Sequence, residues 1–194
     1  MNIVSPEYLP CAAQRWTPGT SRETAEDAEA AFVWGSDPEY FRFLPFEPVV
    51  SMDQEHVFVE EVIRIANTTP RLDYHLAVTI AATAELVGLV HLRITSVRHR
   101  SAELGFGLCK DARGHGYATQ AARLLMEFGF STLGLHRIHA GHHPDNVASY
   151  RVLERLGMTR EGRLRENLLA HGRWRDSVVY SVLEPEWRAD AEAE

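Results

Sequence analysis

Arg113-Gly114-His115-Gly116-Tyr117-Ala118 separates two segments of different periodicity. Before it, Ala102-Glu103-Leu104-Gly105-Phe106-Gly107-Leu108 alternates: Leu104, Phe106 and Leu108 take one face of a strand, and Glu103, Gly105 and Gly107 the other. After it, Ala118 to Phe130 carries Ala121, Leu124, Leu125 and Phe128 at helical spacing. Two glycines at such a junction let the main chain come close to an anion. Free N–H groups of the first helical turn then face it, and the helix dipole favours negative charge there. Arg113 and His115 add cationic or donor contacts to phosphate oxygens. Read this way, Arg113, Gly114, His115, Gly116, Tyr117, Ala118 and Thr119 form a cradle for a pyrophosphate. Two other phosphate motifs do not fit. A P-loop needs Gly-Lys-Ser/Thr after four spacer residues, and the dinucleotide fingerprint needs a third glycine where Thr119 stands.

Outward from the cradle, the pattern predicts a helix over Thr24 to Trp34 ending at Gly35, then a short turn started by Asp37-Pro38. Ser51 with Gln54 is a capping-box signal for a helix to about Ala66, ended by Asn67-Thr68-Thr69-Pro70. Tyr74 to Ile80 and Leu86 to Ile94 read as strands of a hairpin joined by Ala81 to Glu85. After the cradle helix come a short strand, Arg137 to Gly141, and a helix from about Asn146 to Leu156, capped by Asp145 and stopped by Gly157. Met158 to Leu164 and Ser177 to Leu183 are the last strands. Residues 1 to 20 are expected to be an arm or irregular first strand, 21 to 185 one domain, and 186 to 194 an acidic C-terminal tail, frayed over Ala189 to Glu194. This order makes an α/β or α+β domain around one sheet.

The whole chain has 194 residues, 45% hydrophobic and 24% charged, with a formal net charge of -7 at pH 7. The acidic balance argues against nucleic acid as a partner. No apolar run reaches the roughly 18 residues of a membrane span, and the start lacks the basic-then-apolar pattern of a signal peptide. Cys11 and Cys109 suggest neither a disulfide framework nor a metal pair, so a cytoplasmic location is expected. Cys109 reads as a packed small hydrophobe.

Arg113, Gly116 and Ala118 match the Arg/Gln-x-x-Gly-x-Gly/Ala signature of the GNAT acyltransferase superfamily, which this chain resembles from about residue 24 to 183. Downstream, Asn146-Val147-Ala148-Ser149-Tyr150, Leu153-Glu154-Arg155-Leu156-Gly157-Met158, Glu161-Gly162 and Gly172-Arg173-Trp174-Arg175-Asp176 are similar to the RimJ/RimL branch. The resemblance implies a mixed, mostly antiparallel sheet whose central parallel strands splay apart, flanked by helices. It also implies transfer of an acetyl group from acetyl-CoA to a protein N-terminus or small amine, by direct transfer in a ternary complex.

For the site, the resemblance implies a bulged strand at Gly105 and Gly107 and a pantetheine slot along Phe106, Gly107 and Leu108. The N–H near Leu108 would polarise the thioester carbonyl. Glu103 is the implied general base. Asn146 and Arg151 would hold the cofactor arm, and Ser149 or Tyr150 would protonate the departing thiolate. The family's usual donor tyrosine is replaced by Leu153, and a glutamate some RimL relatives use is Leu168. A first strand rich in Leu and Arg is also missing. These departures keep two alternatives open: a non-catalytic acyl-CoA-binding module, and transfer from another acyl-CoA such as succinyl-CoA, with Arg160, Arg163, Arg165, Arg173 and Arg175 nearby. The acceptor is expected between Thr24 to Pro48, Ser51 to Ala66 and a loop at Asn167 to Trp174, with Phe41, Phe43, Phe46 and Trp174 as candidate walls. His136, His139, His142 and His143 lack carboxylate or cysteine partners at metal-ligand spacing, so no metal is expected. The oligomeric state is open between monomer and homodimer.

Overall fold

A computed structural model describes Cys11–Ala12 and residues 25 to 193. Most of the expected N-terminal arm lies outside the described residues, but Cys11–Ala12 forms a two-residue strand, β1. Helix α1 (Ala25–Gly35) leads to the short α2 (Pro38–Phe41), where the Asp37 side chain accepts the Glu39 amide and Pro38 takes a first-turn position. Helix α3 (Met52–Ala66) starts as the capping signal predicts, with Ser51 accepting the Gln54 amide. Gln54 reaches back one residue further than the usual box, to the amide of Val50 (3.0 Å).

Strands β2 (Asp73–Ile80), β3 (Leu86–Ser96) and β4 (Ser101–Leu108) form an antiparallel meander. Helix α4 (Tyr117–Ser131) follows the cradle, then β5 (Arg137–His142), α5 (Val147–Arg155), β6 (Thr159–Ala170), β7 (Arg173–Leu183) and α6 (Glu184–Ala193). The seven strands lie in the order β1-β2-β3-β4-β5-β7-β6, with β4 and β5 parallel and the other pairs antiparallel.

One sheet face holds Val90, Leu92, Leu104, Ile138, Ala140, Tyr180 and Val182, all buried under α4 residues such as Ala122, Leu125 and Met126. Truncating one of these, Leu125 for example, would cost about 2–5 kcal/mol. Trp187 of α6 packs on Phe130 and donates to Glu127 (2.8 Å), so the start of the expected acidic tail is held on the core, and the helix runs on to Ala193. The other face is covered at one end by α1 and α3, where Ala31, Phe58 and Val59 meet Ala77 and Leu89.

Strands β4 and β5 pair only at Ser101/Arg137, Ala102/Ile138 and Glu103/His139. Beyond that rung both continue, β4 to Leu108 and β5 to His142, without pairing. This is the expected splay. The expected bulge in β4 is not there: Gly105 to Leu108 pair in unbroken register with His91, Val90, Leu89 and Gly88. The irregularities fall at Val78/Thr79 and between Ile94 and Ser96. Two local readings are also corrected. Asn146, not Asp145, caps α5. Strands β6 and β7 run well past their expected ends, so the supposed loop at 167 to 174 is mostly paired strand turning at His171-Gly172.

Candidate active site

Gly114 and Gly116 both have positive φ, 85° and 84°, the left-handed region that suits glycine. They turn the chain so that α4 begins at Tyr117 without a side-chain cap. Nothing lies within 4 Å of a Cβ placed on Gly114, and only the Gln120 amide approaches one on Gly116. The hydroxyl of Thr119 and the side-chain oxygen of Gln120 are buried with no hydrogen-bond partner. A buried donor at an uncapped helix start, here the Thr119 hydroxyl, is what an anionic ligand satisfies. Arg113 is anchored by Nε donation to the Leu108 carbonyl (3.1 Å), which leaves its terminal nitrogens beside the turn. The His115 and Tyr117 rings stack at 5.6 Å on the cradle's rim. The cradle residues fit a pyrophosphate.

The Cys109 amide donates to Val87 (2.8 Å), which sets the alternation along β4: odd-numbered residues bond β3, and Leu104, Phe106 and Leu108 turn their main chain toward the gap. The last rung with β5 takes up the Leu104 amide, and past it Phe106 and Leu108 supply N–H groups with no strand opposite them. A thioester carbonyl in the gap would find donors there. The glycines of β4 also make room for side chains of other elements. A Cβ on Gly107 would overlap the Tyr40 hydroxyl, and a Cβ on Gly105 would overlap the His91 ring. Each glycine admits a ring from another element.

Glu103 lies on the same face as those glycines, and Arg93 of β3 ion-pairs with its carboxylate. It is therefore engaged, although about a third of its side-chain surface stays exposed. The neighbouring carboxylate on this face, Glu161, is held by Arg137 (2.6 Å) and Ser181 (2.8 Å), which pull it down to about 2. His139, opposite Glu103 on β5, is pushed below its ordinary range by burial first.

On α5, the Asn146 side-chain oxygen accepts the Ser149 amide (3.1 Å), so one end of this amide is a helix cap and the other remains a donor. Ser149 is half-buried, with its hydroxyl at the first turn. Tyr150, also expected near the sulfur, lies beside His142 and Tyr180. Its ring packs toward Tyr180 and the core, and its hydroxyl bonds Glu154, whose carboxylate holds the phenol above its usual range. Arg151 is exposed on α5, and Leu153 is buried in the core. Of the residues singled out from sequence, the structure gathers the cradle, the free edge of β4 and Glu103 around the splay.

Several residues at the site carried no signal of their own in the sequence. Tyr40 of α2 lies beside Trp34 (4.9 Å) and behind it sits buried Glu55, whose carboxyl burial pushes up. Burial also raises the Tyr40 phenol. His91 stacks on His75 (5.1 Å), which pairs with Asp73 (3.2 Å). His171, at the β6–β7 turn, reaches the carbonyls of Phe41 (3.3 Å) and Leu44 (3.1 Å) and the Glu47 carboxylate (2.9 Å). Arg175 adds a bond to the Arg42 carbonyl (2.9 Å). Phe43 stacks on His143 (5.2 Å), whereas Phe46 and Trp174, expected as acceptor walls, are largely exposed. The pairing register would have pointed to His91: a glycine directly opposite a histidine is a place for its ring.

Residues 21–159 match the family described as an acetyltransferase (GNAT) domain. The chain is 30% identical over 162 residues to the uncharacterized N-acetyltransferase YoaA of Bacillus subtilis, covering 84% of this chain and 90% of the relative. A solved structure of a GNAT-family acetyltransferase from Bacillus anthracis superposes with a TM-score of 0.72 at 28% identity, covering 84% of this chain and 92% of that one. Shorter matches join it to two Escherichia coli proteins. One is spermidine N(1)-acetyltransferase, 27% identical over 57% of this chain and 60% of the relative. The other is the [ribosomal protein uS5]-alanine N-acetyltransferase, 29% identical over 53% and 54%. With a phosphate cradle opening onto a splayed strand pair, and a family match over most of its length, this chain belongs to the GNAT acetyltransferases, on their RimJ/RimL-type branch, and is an acyl-CoA-dependent N-acyltransferase.

Proposed function

We propose that this chain moves an acetyl group from acetyl-CoA to a primary amine, either a protein N-terminus or a small molecule, by direct transfer in a ternary complex. The observation that carries the reading is the cradle: uncapped amides at the start of α4 with the buried, unpartnered Thr119 hydroxyl beside them. Acetyl-CoA supplies an activated acyl group as a thioester. The amides around Gly114 and Gly116 hold its diphosphate, with Arg113 and His115 adding charge and donors. Phe106, Gly107 and Leu108 border the pantetheine arm, and the donor end of Asn146 holds it from α5. The free N–H groups on the open edge of β4 stabilise the oxyanion. Ser149 offers its hydroxyl to the departing sulfur.

Spermidine and an alanine-initiated peptide, the acceptor types that two relatives' names give, are the first to assay. The experiment pairs calorimetric titration of acetyl-CoA with thiol release. G116V places a β-branched residue at φ 84° and is expected to abolish acetyl-CoA binding. G134V puts the same strain at a remote turn, φ 63°, and is expected to bind normally. Binding that survives G116V would end the cradle assignment. Acetyl-CoA binding without thiol release for any amine would favour the binding-module alternative, for which Leu153 in the place of the donor tyrosine speaks.

A further inference from the structure

The cradle, α4 and α5 lie on one face of the sheet, so a thioester threaded into the splay from there presents its carbonyl to the other face. That face is where the amine must arrive and lose a proton. Its groups nearest the last β4–β5 rung are Glu103, His91 and His139. Glu103 is bound by Arg93, and His139, lowered by burial first, stands among the carboxylates of Glu103 and Glu161 and the guanidiniums of Arg137 and Arg93. His91 differs. Its ring lies across β4 in the space that Gly105 leaves empty, next to Phe106, whose amide faces the gap.

We propose that His91 is the catalytic residue that takes the amine proton, and that Gly105 is glycine so that this imidazole can reach the splay. The proposal rests on the transfer reading above. In the step, the uncharged amine forms a C–N bond to the carbonyl carbon, and the C–S bond breaks with its electron pair on sulfur. One amine proton passes to an imidazole nitrogen of His91, and the thiolate takes a proton from Ser149, which solvent restores. The groups facing the ring suit this role. His75 stacks on it from β2 with Asp73 beyond, and Glu103 and Arg93 lie on the other side. Both carboxylates stabilise an imidazolium once it forms, which makes Glu103 a positioning residue. In the resting protein burial, with His75 and Arg93, pushes His91 down to about 4, so the ring is in its proton-accepting form at neutral pH.

The test measures thiol release with acetyl-CoA and spermidine or an alanine-initiated peptide. H91A is expected to lower kcat by about 100-fold or more, with acetyl-CoA affinity unchanged. Imidazole added to H91A should restore turnover in a dose-dependent way, because the vacated space over Gly105 opens on the splay. G105A, which expels the ring without altering His91, should reproduce the loss. An H91A enzyme as fast as wild type, or a loss seen with H139A but not H91A, overturns the assignment and leaves the transfer reading standing. Loss of turnover in H91A that imidazole does not relieve also overturns it. A wild-type protein that binds acetyl-CoA but releases no thiol overturns both.

Discussion

The Tyr40 hydroxyl stands over Gly107, in the space a side chain on that glycine would fill. Through this contact α2 is docked on β4 beside the splay. G107A should displace Tyr40 and destabilise the protein by about 1–3 kcal/mol, the usual cost of overpacking. Adding Y40A should recover part of the loss, since the clash is gone. Urea unfolding of the two single variants and the pair gives the coupling, and strict additivity would show that the ring and the strand do not compete for that space.

Thr119 is the cradle's most specific side chain, because its hydroxyl is buried and unpaired. T119V keeps the shape and removes the donor. Stability should hold or rise, since a costly buried polar atom is gone. Acetyl-CoA affinity should fall about 10-fold, on the order of one charge-assisted hydrogen bond at about 1.5–3 kcal/mol. Titration calorimetry and thermal melts on the same variant read the two opposite effects.

Asn146 caps α5 with its side-chain oxygen, and in the proposed reading its amino end holds the ligand. N146A should cost about 1 kcal/mol of stability by removing the cap of α5. N146D keeps the accepting oxygen for the Ser149 amide and loses the donor. It should stay near wild-type stability yet bind acetyl-CoA more weakly. Equal affinity for N146D and wild type would confine Asn146 to capping.

Glu161 ties β6 to β5 and β7 through Arg137 and Ser181. Its folded carboxyl is held down at about 2, below the ordinary value of 4.5. A lowered folded pKa contributes stability that is present above the unfolded pKa and lost as pH falls toward the folded one. The thermal midpoint of wild type should therefore exceed that of E161Q at pH 7, and the gap should close between about pH 4.5 and 2. A gap that stays constant across this window would contradict the Arg137 and Ser181 bonds.

Much of this architecture is local and therefore legible in the chain. The alternation of residues 102 to 108, the paired glycines at 114 and 116, and Ser51 with Gln54 each fix a conformation through neighbours a few residues away. Other features depend on distant segments. Gly105 and Gly107 read as a bulge because a strand glycine says only that space is needed; the claimants, His91 and Tyr40, come from other elements. Tyr150 sits next to Ser149 in sequence, but one helical step turns it by about 100° into contact with Tyr180. The Arg93 bond to Glu103 follows from register across the hairpin, which no single-strand pattern reveals. Trp187 docks a segment whose acidic composition suggests only solvent.

His171 and Arg175 fasten the hairpin tip to main-chain oxygens of residues 41, 42 and 44, more than 120 positions earlier. Because His171 and Arg175 grip carbonyls, the side chains of residues 41, 42 and 44 are free to vary without unfastening the hairpin. A lineage could thus exchange acceptor preferences by drift at this margin while the coenzyme grip, lodged in a different part of the fold, stays as inherited.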